Sequence, residues 1–178
     1  LEPLFFDTYS PEGGIDQECV TADGYYLFGI DQHIFMINDI GMLHAVAHSL
    51  SMSIKDFLSE TVLRIKTTPD KFRVILDGNA GLYFKDYNDL CDSLLEIDNE
   101  NGIENPAWEH IPWNFLISSI AYYYFGINII LFDDQQKEVI ELILPKGLKT
   151  HVEMFPNTHK NLVVLRKKTK YYPIYMFN

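Results

Sequence analysis

Apolar positions along the chain change their spacing in a way that marks out the elements. Leu43, Val46, Ala47 and Leu50 fall at helical intervals and predict a helix over about 42–50. Ile54, Phe57, Leu58, Val62 and Ile65 predict a second helix, with Ser51 or Ser53 placed to cap it and Thr67-Thr68-Pro69-Asp70 to stop it. Phe72 to Leu76 is a short apolar run, and Asp77-Gly78-Asn79-Ala80-Gly81 is a turn. A third helix is predicted over 84–97, its stripe formed by Tyr87, Leu90, Cys91, Leu94 and Leu95. Trp113 to Phe125 carries no charge and predicts a largely buried helix that Gly126 ends.

Strand signals surround these helices. Cys19-Val20-Thr21 and Tyr25-Tyr26-Leu27-Phe28 flank Ala22-Asp23-Gly24, a hairpin signal. Ile34 to Ile37 reads as extended, Ile127 to Phe132 as a buried strand, and Val139 to Leu144 as another. Asn161 to Leu165 and Tyr172 to Phe177 read as a closing hairpin. Helices gathered before late strands predict an α+β domain with a small central sheet. The first fifteen or so residues, with Pro3, Pro11, Gly13 and Gly14, read as an irregular arm.

With 178 residues, one domain is the simplest division, and the chain is long enough to bury a core. The formal charge of −11 disfavours nonspecific contact with nucleic acid or an anionic membrane, so neither is an expected partner. The basic cluster Arg166-Lys167-Lys168-Thr169-Lys170 reads as a solvated turn between the last two strands. The uncharged run 115–132 has the length of a membrane span, but its serines, tyrosines, Gly126 and Asn128 divide it into a helix and a strand. Two cysteines make no disulfide framework and suggest a reducing, cytoplasmic setting. Leu1 is not a natural start and suggests part of a longer chain.

Few residues invite chemistry. His44 and His48 share a helix face, yet no acid or third ligand accompanies them, so no metal is expected. No phosphate-binding glycine loop, Cys-x-x-Cys pair or Gly-x-Ser-x-Gly elbow occurs, and no cofactor is expected. Cys91 lies on an apolar stripe and reads as core. Cys19 precedes a hairpin rather than a helix and lacks the activation a helix start gives a thiol.

Asp39-Ile40-Gly41-Met42-Leu43-His44-Ala45-Val46 resembles the Asp-Gly-Asn-Cys-Leu-Phe motif of the OTU (ovarian tumour) cysteine proteases, in which the loop turns directly into a buried helix. The resemblance extends over 39–178 through the order of elements. The helix ending near Pro69-Asp70, the aromatic helix around Tyr87, the Trp108 to Phe132 unit and the Asn161 to Ile174 hairpin follow the family's sequence of parts. It implies a papain-like α+β OTU fold over 39–178, with 1–38 packed on it.

The resemblance also implies lost catalysis. Asp39 matches the loop acid, Met42 stands at the nucleophile, Lys170 at the general base, Tyr171 at the neighbouring aromatic and Tyr172 at the group that orients the base. A one-residue gap puts Gly41 at the nucleophile instead, and shifting the hairpin puts Tyr171 at the base. Neither restores the thiolate and base that nucleophilic catalysis needs. Asp39, Gly41, Met42, Trp113 and Tyr171 are the candidate cleft residues. The expected role is a pseudo-deubiquitinase that binds protein, with ubiquitin or a ubiquitin-like protein as partner. Two alternatives stand beside it. One is an OTU protease that is active through Cys19, with His151 or His159 as substitute base, or inactivated by mutation, for which Asp77-Gly78-Asn79-Ala80 reads as the motif with Ala in place of Cys. The other is a structural domain of a larger viral or mobile-element protein.

Overall fold

The computed structural model describes residues 24–27, 38–97, 106–133, 140–141 and 158–177. Strand β1 (Gly24–Leu27) comes first, and a 3-10 turn at Asn38–Gly41 runs into helix α1 (Met42–Ser49). Helix α2 (Ile54–Thr67), a 3-10 stretch at Pro69–Gly78, helix α3 (Tyr87–Glu96) and helix α4 (Trp113–Phe125) follow. Strands β2 (Ile127–Asp133), β3 (Ile140–Glu141), β4 (Lys160–Lys167) and β5 (Lys170–Phe177) complete the chain. The sheet has the order β1-β5-β4-β2-β3. β2 and β4 run parallel, from Ile127 opposite Lys160 to Asp133 opposite Arg166, and the remaining neighbours are antiparallel. The protein is a mixed α+β fold.

Local chemistry explains the helix boundaries. Ser53 caps α2: its Oγ accepts from the Asp56 N–H at 3.0 Å and donates to Asp56 Oδ2 at 2.7 Å. Asp86 caps α3 by accepting from the Asn88 and Asp89 N–H groups, and the Asp89 carboxylate accepts the Lys85 N–H in return. Gly126 ends α4 in the left-handed conformation at φ 65°, which a glycine adopts without a Cβ clash.

α4 is the core helix. Trp113, Leu116, Ile117, Ile120 and Ala121 are fully or almost fully buried, and α1 and α4 both pack on the sheet. The apolar run 115–132 is thus the body of α4 followed by β2, and among the described residues no helix is long and apolar enough to cross a membrane. The end of α4 has three polar caps from distant elements. Arg64 Nη1 donates to the Tyr124 carbonyl at 2.5 Å, Lys71 Nζ to the Tyr123 carbonyl at 2.6 Å, and His159 Nε2 lies 3.1 Å from the Tyr122 carbonyl. A carbonyl only accepts, so His159 Nε2 carries the proton and Nδ1 faces the Thr158 hydroxyl at 3.0 Å. Cations at a helix C-terminus also complement its dipole.

Arg64 further pairs with Glu60 at 2.7 Å and lies 4.4 Å from the centre of the Phe125 ring. Arg64→Met keeps the aliphatic stem but removes the carbonyl bond and the ring contact. It is expected to lower stability by about 1–2 kcal/mol, read as a lower urea midpoint at unchanged slope. A change within error would show that water caps Tyr124 equally well.

Three features differ from the sequence expectation. Leu95, assigned to the α3 stripe, is 53% exposed, because the buried side of α3 is formed by Leu90, Cys91 and Leu94. The basic cluster is not a five-residue turn: Arg166 and Lys167 end β4, Lys170 begins β5, and only Lys168 and Thr169 turn. β1 pairs with β5 from the far end of the chain, Gly24 opposite Phe177. The arm, the Cys19 side of the expected first hairpin, the Ile34 run and most of the 139–144 strand lie outside the described residues.

Candidate functional site

The 3-10 turn enters α1 without a break. Gly41, at the N-cap of α1, already has helical angles, φ −55° and ψ −21°. The start of β5 lies against it. A Cβ on Gly41 would sit 3.2 Å from Tyr171 Cδ2 and 3.4 Å from the Thr169 carbonyl oxygen, so this contact leaves little room for a side chain at position 41. Met42 and Tyr171 are both completely buried. The Tyr171 hydroxyl donates to Asn114 Oδ1 at 3.4 Å, and the Arg166 guanidinium lies 5.7 Å from the Tyr171 ring centre. The structure thus brings Gly41, Met42 and Tyr171 together, with Asn114 of α4 as a neighbour the sequence did not single out.

Strand alternation separates the other candidates. Tyr171 belongs to the main core with the helices, whereas Tyr172 and Ile174 form a second cluster with Val163 and Leu165 on the opposite face. Lys170 is two residues from Tyr172 and shares its side of the pleat. Of the two hairpin registers, the one that puts Tyr171 at the base position faces α1. The gap-free one points Lys170 and Tyr172 away from it.

The expected cleft residues form no open cleft. Trp113 is fully buried, donates from Nε1 to the Trp108 carbonyl at 3.1 Å, and meets the Trp108 ring at 66° with centres 5.7 Å apart. Met42, Trp113 and Tyr171 therefore offer no surface to a partner, because all three are completely buried in the main core. Asp39 lies in the 3-10 turn, and its side chain lies outside the described structure.

No protein-family model, curated protein or solved structure matches this chain. The site therefore stands on its own chemistry. A thioether holds no ionisable proton, and a buried phenol bonded to an amide oxygen is no general base at neutral pH.

The remaining candidates lie elsewhere. Cys91 is buried on α3, and burial pushes its thiol up, against a smaller opposing pull from Lys66, so it is not primed as a nucleophile. Cys19 and His151 lie outside the described residues. His159 is engaged at the C-terminal end of α4, the opposite end from Asn114. His44 and His48 are both partly buried, and desolvation lowers the His48 pKa. Among the described residues no three His, Cys, Asp or Glu side chains gather to hold a metal. Asp77-Gly78-Asn79-Ala80 is a tight turn packed on α4, with Ala80 buried.

Among the described residues, Tyr124 stands out. Its hydroxyl is buried with no hydrogen-bond partner among them, and burial pushes its pKa up to about 12, with a smaller contribution from Cys91. An unfolded tyrosine ionises near pH 10, so between about pH 10 and 12 the unfolded chain loses this proton first and stability falls. The loss across that window is expected to be about 2–3 kcal/mol. Tyr124→Phe is expected to flatten this part of the stability–pH curve and to add about 1 kcal/mol at pH 7 by removing an unsatisfied hydroxyl. Urea denaturation of both proteins at pH 7, 10 and 11.5 is the check. Parallel curves would mean that the hydroxyl is hydrated in solution.

Proposed function

We propose that this chain is an OTU-like scaffold without catalytic function that acts as a protein-interaction module, with ubiquitin or a ubiquitin-like protein as its first candidate partner. One observation carries the reading. The start of α1 meets the start of β5, the juxtaposition a thiolate and its base would require; Gly41 lies against the Tyr171 ring there, and both Met42 and Tyr171 are completely buried. A cysteine protease needs a thiol there, an imidazole or equivalent base, and water-accessible space for the acyl group. None of these is supplied by Gly41, Met42 or Tyr171. The order of helices before a closing β4–β5 hairpin supports the scaffold half of the reading, and the net charge of −11 suits the basic binding face of ubiquitin.

Two measurements test the two halves. Ubiquitin carrying a thiol-reactive C-terminus is expected to form no adduct with the protein. An adduct on any cysteine would overturn the loss of catalysis. Titration of isotope-labelled ubiquitin is expected to give saturable shifts on its basic face at micromolar protein. Unchanged spectra at high micromolar concentration would remove ubiquitin as the partner.

A further inference from the structure

Met42, Trp113 and Tyr171 are enclosed, so a partner must meet this chain elsewhere. The large apolar side chains exposed among the described residues are Leu63, Val74, Leu82, Tyr83 and Leu95, and Leu82 is the most exposed of them at 77%. Apolar side chains scattered singly over a surface are ordinary. Leu82 and Tyr83 are instead adjacent, and with Pro112 and Phe115 they line a cavity of about 330 Å3 between the start of α4 and the chain before α3.

The backbone holds this ridge in place. The Leu82 N–H donates to the Asn79 carbonyl, and the Tyr83 and Phe84 N–H groups both donate to the Ala80 carbonyl. Ala80 and Phe84 are buried and anchor the turn on either side of the ridge. A partner that covers Leu82 and Tyr83 therefore orders little of this chain, which lowers the cost of binding.

Charge selects the partner. From 76 to 97 the chain has five carboxylates, Asp77, Asp86, Asp89, Asp92 and Glu96, and one cation, Lys85, all exposed. Asp86 accepts the Asn88 and Asp89 N–H groups and Asp89 accepts the Lys85 N–H, which fixes both carboxylates at the entry to α3, a few residues from Tyr83. Asp89, Asp92 and Glu96 recur at intervals of three and four and form one stripe on α3, turned away from the buried Leu90, Cys91 and Leu94. Like charges at these intervals repel, and Glu96 stands in the last turn, where the helix dipole disfavours an anion. Among the described residues no cation forms an ion pair with Asp92 or Glu96. Leu95, 53% exposed, lies one turn from Asp92 and adds apolar surface to the stripe.

We propose, on the reading of this chain as a protein-interaction module, that the Leu82–Tyr83 ridge and the outward side of α3 are its docking surface, and that the partner is a protein whose binding face sets cations around a protruding aliphatic side chain. The aliphatic side chain enters the cavity beside Leu82, and the cations meet the stripe of Asp89, Asp92 and Glu96. The same stripe repels nucleic acid and anionic lipid.

The test uses the whole isotope-labelled chain and two probes, ubiquitin and a synthetic amphipathic helix of leucine and lysine. Saturable amide shifts are expected at Leu82, Tyr83 and 89–96 with both. Leu82→Ser, at an exposed position, is expected to weaken both probes at least about fivefold with the rest of the spectrum unchanged. Asp92→Asn combined with Glu96→Gln is expected to weaken both about two- to fivefold and to flatten the salt dependence. Ubiquitin without effect, beside the leucine–lysine helix bound at these amides, would remove ubiquitin as partner and keep the surface. Ubiquitin bound through other residues would overturn the surface and keep the module. No saturable shifts at these amides with the leucine–lysine helix, or affinities within about twofold for Leu82→Ser, would also overturn the proposal.

Discussion

Tyr171→Ala is expected to lower the stability of the protein by about 3–5 kcal/mol, the cost of emptying a large aromatic site in a close-packed core. Tyr171 is completely buried, and its ring is the surface on which Gly41 rests. Removing it leaves a void where α1 meets β5, and the surrounding core collapses only in part because Met42 is itself fully enclosed. Tyr171→Phe separates the contributions. It keeps the ring and loses only the long 3.4 Å bond to Asn114, so its expected cost is under about 1 kcal/mol. Urea denaturation of the three proteins at one pH decides the matter. A loss for phenylalanine as large as that for alanine would mean that the hydroxyl, not the packed ring, holds the junction.

The second large effect concerns Trp113. Trp113→Ala deletes the largest fully buried side chain among the described residues and, with it, the edge-on contact with Trp108 and the bond to the Trp108 carbonyl. The expected cost is again about 3–5 kcal/mol. That carbonyl also accepts the Ile111 N–H at 3.0 Å, so it is not left without a donor. The loss should therefore come mainly from packing, and Trp113→Phe should recover more than half of it. Thermal unfolding followed by far-UV circular dichroism is a suitable check. If phenylalanine were as damaging as alanine, the indole N–H would carry more of the stability than the ring.

Both residues were candidates for a binding cleft, and both are core. The distinction has a physical basis. An aromatic beside a candidate loop has the same identity whether it lines an opening or fills it, and only the packing of distant segments decides which. The same holds for Met42. Its position at the start of a helix was legible from Leu43, Val46 and Ala47, but its complete burial depends on β5, more than a hundred residues later in the chain. Tyr171 and Tyr172 are adjacent in sequence and on opposite faces of the sheet, so a one-residue choice of register decides which of them meets α1.

The sequence by itself determined the features that arise within a turn or two of the chain. Ser53 supplies an oxygen to an unpaired N–H group at a helix start, Gly126 takes a left-handed angle, and the uncharged run before it becomes the buried α4, whereas the third helix, expected from 84, starts at Tyr87 because Asp86 caps it. It also determined that neither Cys19 nor Cys91 occupies the start of α1. The tertiary structure decided the sheet order, the parallel pairing of β2 with β4, the exposure of Leu95 and the left-handed run at Leu76 and Asp77. It also decided that Gly41 lies against Tyr171 and that Met42 and Tyr171 are completely buried. Caps and periodicity are settled by short-range hydrogen bonds and side-chain spacing. Pairing, burial and strain depend on free energy gained between segments far apart, which no local pattern encodes.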